Sequence, residues 1–331
     1  MQHILVCLDF SEFSKQVIPF AVALAKGFGA KITILHVLEK PHLDPHVAID
    51  CFEWEMQKNE VKHFLNAVKS EISNDGIVVA TETVEGQPAE QISFWINNHD
   101  VDLTVLCSHG SNGQTQWPLA STAQKLIAGT PSAILLIPAK SLIAHQSKGN
   151  NFTVLFRRLL VPLDGSSCAE SVLPFAINIA SNQHGKVILA HVIPDSGITH
   201  VEPLNAEGLA LEQHILDYNW NVASQYLNKI ESRLKSTTDI SINTSLLNNH
   251  GIAHELNKIV NDQAIDMVIM SAHGHSNQQD QYCGKVALDF LEHCQIPIML
   301  LRGQISQGKI SVTLDDTLLE SKLRLPSQAV L

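Results

Sequence analysis

The chain has 331 residues, 45% hydrophobic and 17% charged, with 33 acidic against 22 basic side chains and a net charge of −11. That composition describes a folded globular chain of roughly two domains. It argues against disorder, against a bilayer span of about 20 apolar residues, and against a nucleic-acid partner, whose affinity rests on clustered Lys and Arg. Six cysteines without a CxxC pair read as reduced, mostly buried thiols of a cytoplasmic protein.

Short apolar runs alternate with helix-period stretches along the chain. His3–Leu8 predicts a buried strand at the start, and MQHILVCLDFSEF lacks the basic, then long apolar, pattern of a leader. Ser14–Phe28 reads as one helix, with Ser11 or Ser14 as N-cap and Gly29 near its stop. Lys31–Val37 predicts a strand, Glu53–Ser73 an amphipathic helix, and Ile77–Thr83 an alternating strand. Pro88 suits the first turn of a helix that runs to Asn98. Leu103–Cys107, Leu119–Ala128 and Ala133–Ile137 follow as strand, helix and strand.

The order then repeats. Strands are predicted at Arg158–Leu163, Lys186–His191, Ile240–Leu246, Met267–Ser271 and Pro297–Leu301. Helices are predicted at Ser167–Asn182, Ala206–Lys235, Ala253–Asp262 and Lys285–His293. Strands separated by helices call for a parallel sheet with right-handed crossovers. The expected organisation is one domain over 1–139, a polar linker over 140–156, a second domain over 157–302 and a tail over 303–331. In the tail, Ile310–Leu314 suits a strand and Asp315–Leu323 a short helix.

The repeat carries the chemical signal. Asp9 and Asp164 lie 155 positions apart, as do His36 and His191; VDLTVLCSHG and IDMVIMSAHG match at a spacing of 164. Each Asp follows an apolar strand and precedes a helix. There it can accept hydrogen bonds from a ribose or an adenine amine at a sheet's switch point, or it can serve the helix N-terminus. Cys107-Ser108-His109-Gly110 and Ser271-Ala272-His273-Gly274 end the fourth strand of each half. Such loops offer backbone N–H groups to a phosphate, while a His at such a junction can equally bond backbone. If the first and fourth strands are neighbours, each Asp and its His-Gly loop flank one crevice.

These residues resemble the universal stress protein family. The resemblance rests on a strand ending in Asp-x-Ser, His-Val closing the second strand, the Ser-His-Gly and Ala-His-Gly loops, and the closing Pro-x-x-apolar strand. Leu119–Pro138, LASTAQKLIAGTPSAILLIP, is similar to the family's last helix and strand. The resemblance implies an α/β chain of two Rossmann-like, doubly wound domains, each a five-stranded parallel sheet of order 3-2-1-4-5. It also implies an internal pseudo-dimer of the halves through their fifth strands, with a homodimer left open.

Some members of the family bind ATP through Gly, two residues, Gly, nine residues, then Gly-Ser or Gly-Thr. Here those positions are Cys107, Gly110, Ala120 and Ser121 in the first half, and Ser271, Gly274, Gly284 and Lys285 in the second. Asp9, Val37 and His109, with Asp164, Gly165, Val192 and His273, complete the implied sites for an adenine nucleotide with Mg2+. Phe10 and Trp117-Pro118 crowd the first mouth, and Asp164-Gly165-Ser166 lies closer to the binding pattern.

The expected function is a cytoplasmic stress-response or signalling protein that binds an adenine nucleotide in at least one half. A slow ATPase using Asp, His and Mg2+ is the enzymatic alternative, although the chain has no P-loop, GxGxxG or GxSxG. A scaffold acting through unknown protein partners, with Pro194–Asn205 and Ala206–Lys235 as its surface, is the other. His273/His275 and His42/His46 match no structural zinc spacing and carry no metal assignment.

Overall fold

The computed structural model describes residues 1–39, 51–73, 76–108, 121–138, 154–193, 206–248, 251–274 and 283–302. Ten strands form one sheet: β1 (His3–Leu8), β2 (Lys31–Leu38), β3 (Val79–Glu85), β4 (Leu103–Cys107), β5 (Ala133–Ile137), β6 (Arg158–Pro162), β7 (Lys186–Ile193), β8 (Ser241–Asn248), β9 (Met267–Ser271) and β10 (Ile298–Leu301). Their order is β3-β2-β1-β4-β5-β10-β9-β6-β7-β8. Each half therefore has the expected 3-2-1-4-5 order. Pairing within each half is parallel, and β5 and β10 pair antiparallel, with Leu135 opposite Met299.

Helices cover both faces, as a parallel sheet requires. On one face Phe20, Leu24, Leu135, Phe156, Ile179 and Met299 belong to a continuous buried cluster that crosses from half to half. On the other, Leu126, Ile134, Leu136, Phe290, Ile298 and Leu300 do the same. Further contacts join the halves. The Phe20 and Phe156 rings lie 6.2 Å apart. The Gln183 side chain accepts from Phe156 N at 2.5 Å and donates to Ala23 O at 3.5 Å. The Arg302 guanidinium donates to Ala128 O.

Two predicted helices are corrected. Ser14–Phe28 is divided into Glu12–Lys15 and Ile18–Phe28, and Ser167–Asn182 into Ser167–Glu170 and Leu173–Asn182. Pro19 and Pro174 are the cause: each lacks an N–H and collides with the carbonyl four residues back, so the helix restarts with proline in its first turn. Ser11 caps the first short helix through its Oγ, which accepts from Ser14 N at 3.0 Å. Gly29, at φ 63°, caps the end of Ile18–Phe28. The alternating strand predicted at Ile77–Thr83 lies two residues later, at Val79–Glu85. The helix predicted from Glu53 begins at Cys51, and Ser121–Gly129 stands where Leu119–Ala128 was expected. Residues 140–153 of the expected 140–156 linker, the loop before Ala206 and the tail from 303 lie outside the described residues; of the linker's end, Val154 and Phe156 are buried in the core. Cys7, Cys107, Cys168, Cys283 and Cys294 are thiols outside any disulfide, and burial pushes the Cys283 and Cys294 thiols up to about 11. No helix among the described residues is long and apolar enough to cross a membrane.

Two histidines brace equivalent strand ends. His36 Nδ1 donates to Leu8 O at 2.7 Å and His191 Nδ1 to Leu163 O at 2.8 Å. A carbonyl only accepts, so the proton sits on Nδ1 when the ring is neutral. His3 bonds His99 O at 3.0 Å and Thr33 Oγ1 at 2.9 Å. Burial lowers the pKa of all three below the ordinary 6.5.

Leu135→Ala, at the centre of the β5–β10 seam, is expected to cost about 2–5 kcal/mol. It should shift the urea midpoint of the whole chain, since the clusters run through both halves. For the histidines, a lowered folded-state pKa means that the unfolded chain protonates first. Their contribution is therefore full above pH 6.5 and is lost as pH falls below it towards the folded-state values. Urea midpoints should hold from pH 8 to about 7 and fall between about 6.5 and 5, with a shallower fall in His191→Gln.

Candidate functional site

The sheet has a switch point in each half, where neighbouring strands send their helices to opposite faces: between β1 and β4, and between β6 and β9. Ligands in open α/β sheets sit beyond the carboxyl ends of such strands. Asp9 and Asp164 both stand there. Asp164 Oδ1 accepts from Ser166 N at 2.9 Å and Ser166 Oγ at 2.6 Å; Asp9 Oδ1 accepts from Ser11 N at 3.0 Å and Ser11 Oγ at 2.6 Å. The helix cap itself is the serine: Ser166 Oγ accepts from Ala169 N at 3.1 Å. Each carboxylate thus stands one link behind the cap, oriented by a turn of its own chain.

In the second half the structure brings Asp164 and Gly274 together. Gly274 lies against Asp164: a Cβ built on Gly274 would collide with the Asp164 Oδ2 and sit 3.4 Å from its Cγ. The Asp164 side chain is short and tied at Oδ1, so it yields to such a Cβ only by giving up its turn. Gly284 packs back on the end of β9. Its N–H donates to Ala272 O at 2.7 Å, and it stands at the N-cap of Lys285–His293 without a capping side chain. A Cβ on Gly284 would meet Ala272 O at 3.4 Å, an ordinary contact. Ser271 is buried, and its Oγ accepts from His273 N at 3.4 Å. Lys285 is exposed at the start of the helix, whose first N–H groups favour an anion. Val192 is half-buried near the end of β7.

The first half matches in part. Val37 and Cys107 are half-buried, and Ser121 is exposed at the first position of Ser121–Gly129. Ser108 N donates to Ile137 O at 2.9 Å, as Ala272 N does to Leu301 O at 2.8 Å. His109, Gly110 and Ala120 lie outside the described residues, as do His275 and Trp117-Pro118.

The mouths differ at one backbone position. Gly165 has φ 85°, and Phe10, its counterpart 155 residues earlier, has φ 67°. The left-handed region costs a residue with a Cβ roughly 1–2 kcal/mol, and glycine nothing comparable. Ring contacts offset that cost: Phe10 lies 4.7 Å from His36, edge to face, and 4.7 Å from Phe64. Phe10 therefore covers His36 at the end of β2. At the matching place in the second half, His191 faces Tyr226 at 6.0 Å. Tyr226 Oη donates to Glu170 at 3.2 Å, and Arg233 pairs with the other oxygen of Glu170 at 2.8 Å. Burial, then Glu170, hold the Tyr226 phenol protonated well above its usual range. The sequence signalled Phe10 as crowding but gave no sign of the Tyr226–Glu170–Arg233 group, whose members lie 56 and 63 positions apart.

The model of the universal stress protein family matches residues 1–138 and 155–302. The chain is 21% identical over 324 residues to the universal stress protein Slr1230 of Synechocystis sp., covering 91% of this chain and 100% of that one. It is 26% identical over 161 residues to the universal stress protein MJ0577 of Methanocaldococcus jannaschii, covering 46% of this chain and 99% of that one. Its fold matches the crystal structure of a universal stress protein from Archaeoglobus fulgidus with a TM-score of 0.64 at 16% identity, covering 91% and 96% of the two chains. With a matched segment in each half, the chain belongs to the universal stress protein family as a tandem, two-domain member.

Proposed function

We propose that this chain is a cytoplasmic stress-response protein that binds an adenine nucleotide in its second half, between the ends of β6 and β9. Asp164 would accept from the ribose or the adenine amine. The backbone N–H of Gly274 and those of the first turn of Lys285–His293 would meet the phosphates, which bring Mg2+ as their counter-ion. One observation carries the reading. Gly274 presents bare backbone against the Asp164 carboxylate where a Cβ has no room, so a carboxylate and accessible backbone at the end of β9 lie side by side. The contrast between Gly165 and Phe10 favours the second half.

The same proposal takes the protein to act by binding rather than by turnover, and takes the two halves as an internal pseudo-dimer. The antiparallel β5–β10 seam supports the latter. Hydrolysis is the alternative for the same site. A scaffold without nucleotide, working through protein partners, is the alternative if the site is closed.

Calorimetric titration of ATP with Mg2+ tests this. Binding is expected in the parent chain. Losing a hydrogen-bonded carboxylate or closing the turn removes about 1.5–3 kcal/mol, roughly ten- to a hundredfold in affinity, in Asp164→Ala and Gly274→Ala. Asp9→Ala should bind as the parent does. No heat up to millimolar ATP would move the function to partners. ATP turnover that disappears in Asp164→Ala would favour the hydrolase.

A further inference from the structure

We infer that the amino ends of β6 and β7 form a second, separate site, for a small soluble anion carrying several phosphate-type charges. An open groove of about 560 Å³ lies there, lined by Arg157, Arg158, His184, Lys186 and Asp266. Arg158 and Lys186 are register partners that open β6 and β7, so their side chains leave the sheet on the same face. The acid is already engaged: Asp266 Oδ2 accepts from Arg157 N at 2.9 Å and Arg158 N at 2.8 Å. Among the described residues, none of Arg157, Arg158 and Lys186 makes an ion pair. Three cations line the groove with one carboxylate, whose charge the amide bonds leave in place, so the corner is net positive in a chain of 33 acids and 22 bases. Their mutual repulsion is relieved by an anion in the groove, and the local positive field against a negative protein would guide one in.

The first half serves as a control. There Asp102 Oδ2 accepts from Gln2 N at 2.6 Å and His3 N at 3.0 Å, in the same arrangement. Lys31 N donates to Gln2 O at 2.9 Å, as Lys186 N does to Arg157 O at 2.7 Å. The same backbone therefore forms with Gln2 and His3 where the second half has Arg157 and Arg158. His3 is sealed by its bonds to His99 and Thr33. Folding of this corner does not call for two arginines, and an anionic ligand does.

The test is calorimetric titration of inorganic tripolyphosphate into the full chain at low ionic strength, in a Gly274→Ala background that closes the mouth beside Asp164. Arg157→Gln combined with Arg158→His installs the first half's own residues; it should lower the affinity at least tenfold with an unchanged melting temperature. Lys186→Gln should lower it severalfold, whereas Lys31→Gln, the same charge change in the first half, should leave it as it was. Affinity should fall with added salt. Equal affinity in Lys186→Gln and Lys31→Gln, or no heat with tripolyphosphate at all, overturns the proposal.

Discussion

Unpaired backbone at the sheet edges is the constraint to which the rest of this molecule answers. A five-stranded parallel sheet leaves its fifth strand with one row of N–H and C=O groups unmet, and buried polar backbone must be paired. β5 and β10 are buried along their whole length, so neither can turn that row to water. Each meets the other's row, and two sheets become one. The outer edges, β3 and β8, are instead polar and largely exposed, as in VATETVE and SINTSLLN. Because the seam is antiparallel, the strands of the two halves run in opposite directions. Asp9 and Asp164 consequently lie at opposite ends of the sheet, and no ligand can bridge them.

Duplication gave one backbone two chemical outcomes. The carboxylate, the serine that orients it and the histidine that braces the strand end are the same in both halves, down to hydrogen bonds that differ by a tenth of an ångström. What differs is the rim. Phe10 stands for Gly165, and Lys15, held 5.2 Å over the Phe64 ring, stands for Glu170, which binds Tyr226 and Arg233. The first half uses a strained phenylalanine to cover its histidine with aromatic rings. The second leaves bare backbone at that corner. A shared scaffold with divergent rims is how related sites come to differ in ligand without differing in fold.

Much of this was legible because it is local. Apolar runs such as ILVCL and VILAHV fix strands buried on both faces, and Pro88 announces the first turn of its helix. The divisions at Pro19 and Pro174 were masked, because apolar periodicity continues past both prolines; periodicity reports burial and says nothing of a missing N–H. The close approach of Gly274 to Asp164 joins residues 110 positions apart and depends on β6 and β9 being neighbours. The motif marked both residues, but only the fold supplies the contact. The left-handed φ of Phe10 was beyond reach because nothing in the residue itself asks for it. Arg158 reads as an ordinary strand entry, and only the fold shows that Asp266 is bonded to the amides of Arg157 and Arg158.

The second half then carries two polar features joined by one strand. Arg158 opens β6, and Asp164 stands two residues beyond its end at Pro162. At about 3.3 Å per residue the two are roughly 20 Å apart, well beyond a Debye length of about 8 Å at physiological salt. Between them Leu159, Leu160 and Val161 are fully buried, packed from both faces of the sheet. Such a strand has one arrangement, not two, and coupling between distant sites requires an element with alternatives. Occupancy at one end of β6 should therefore be felt at the other only if the surrounding helices, rather than the strand, have a second way to pack.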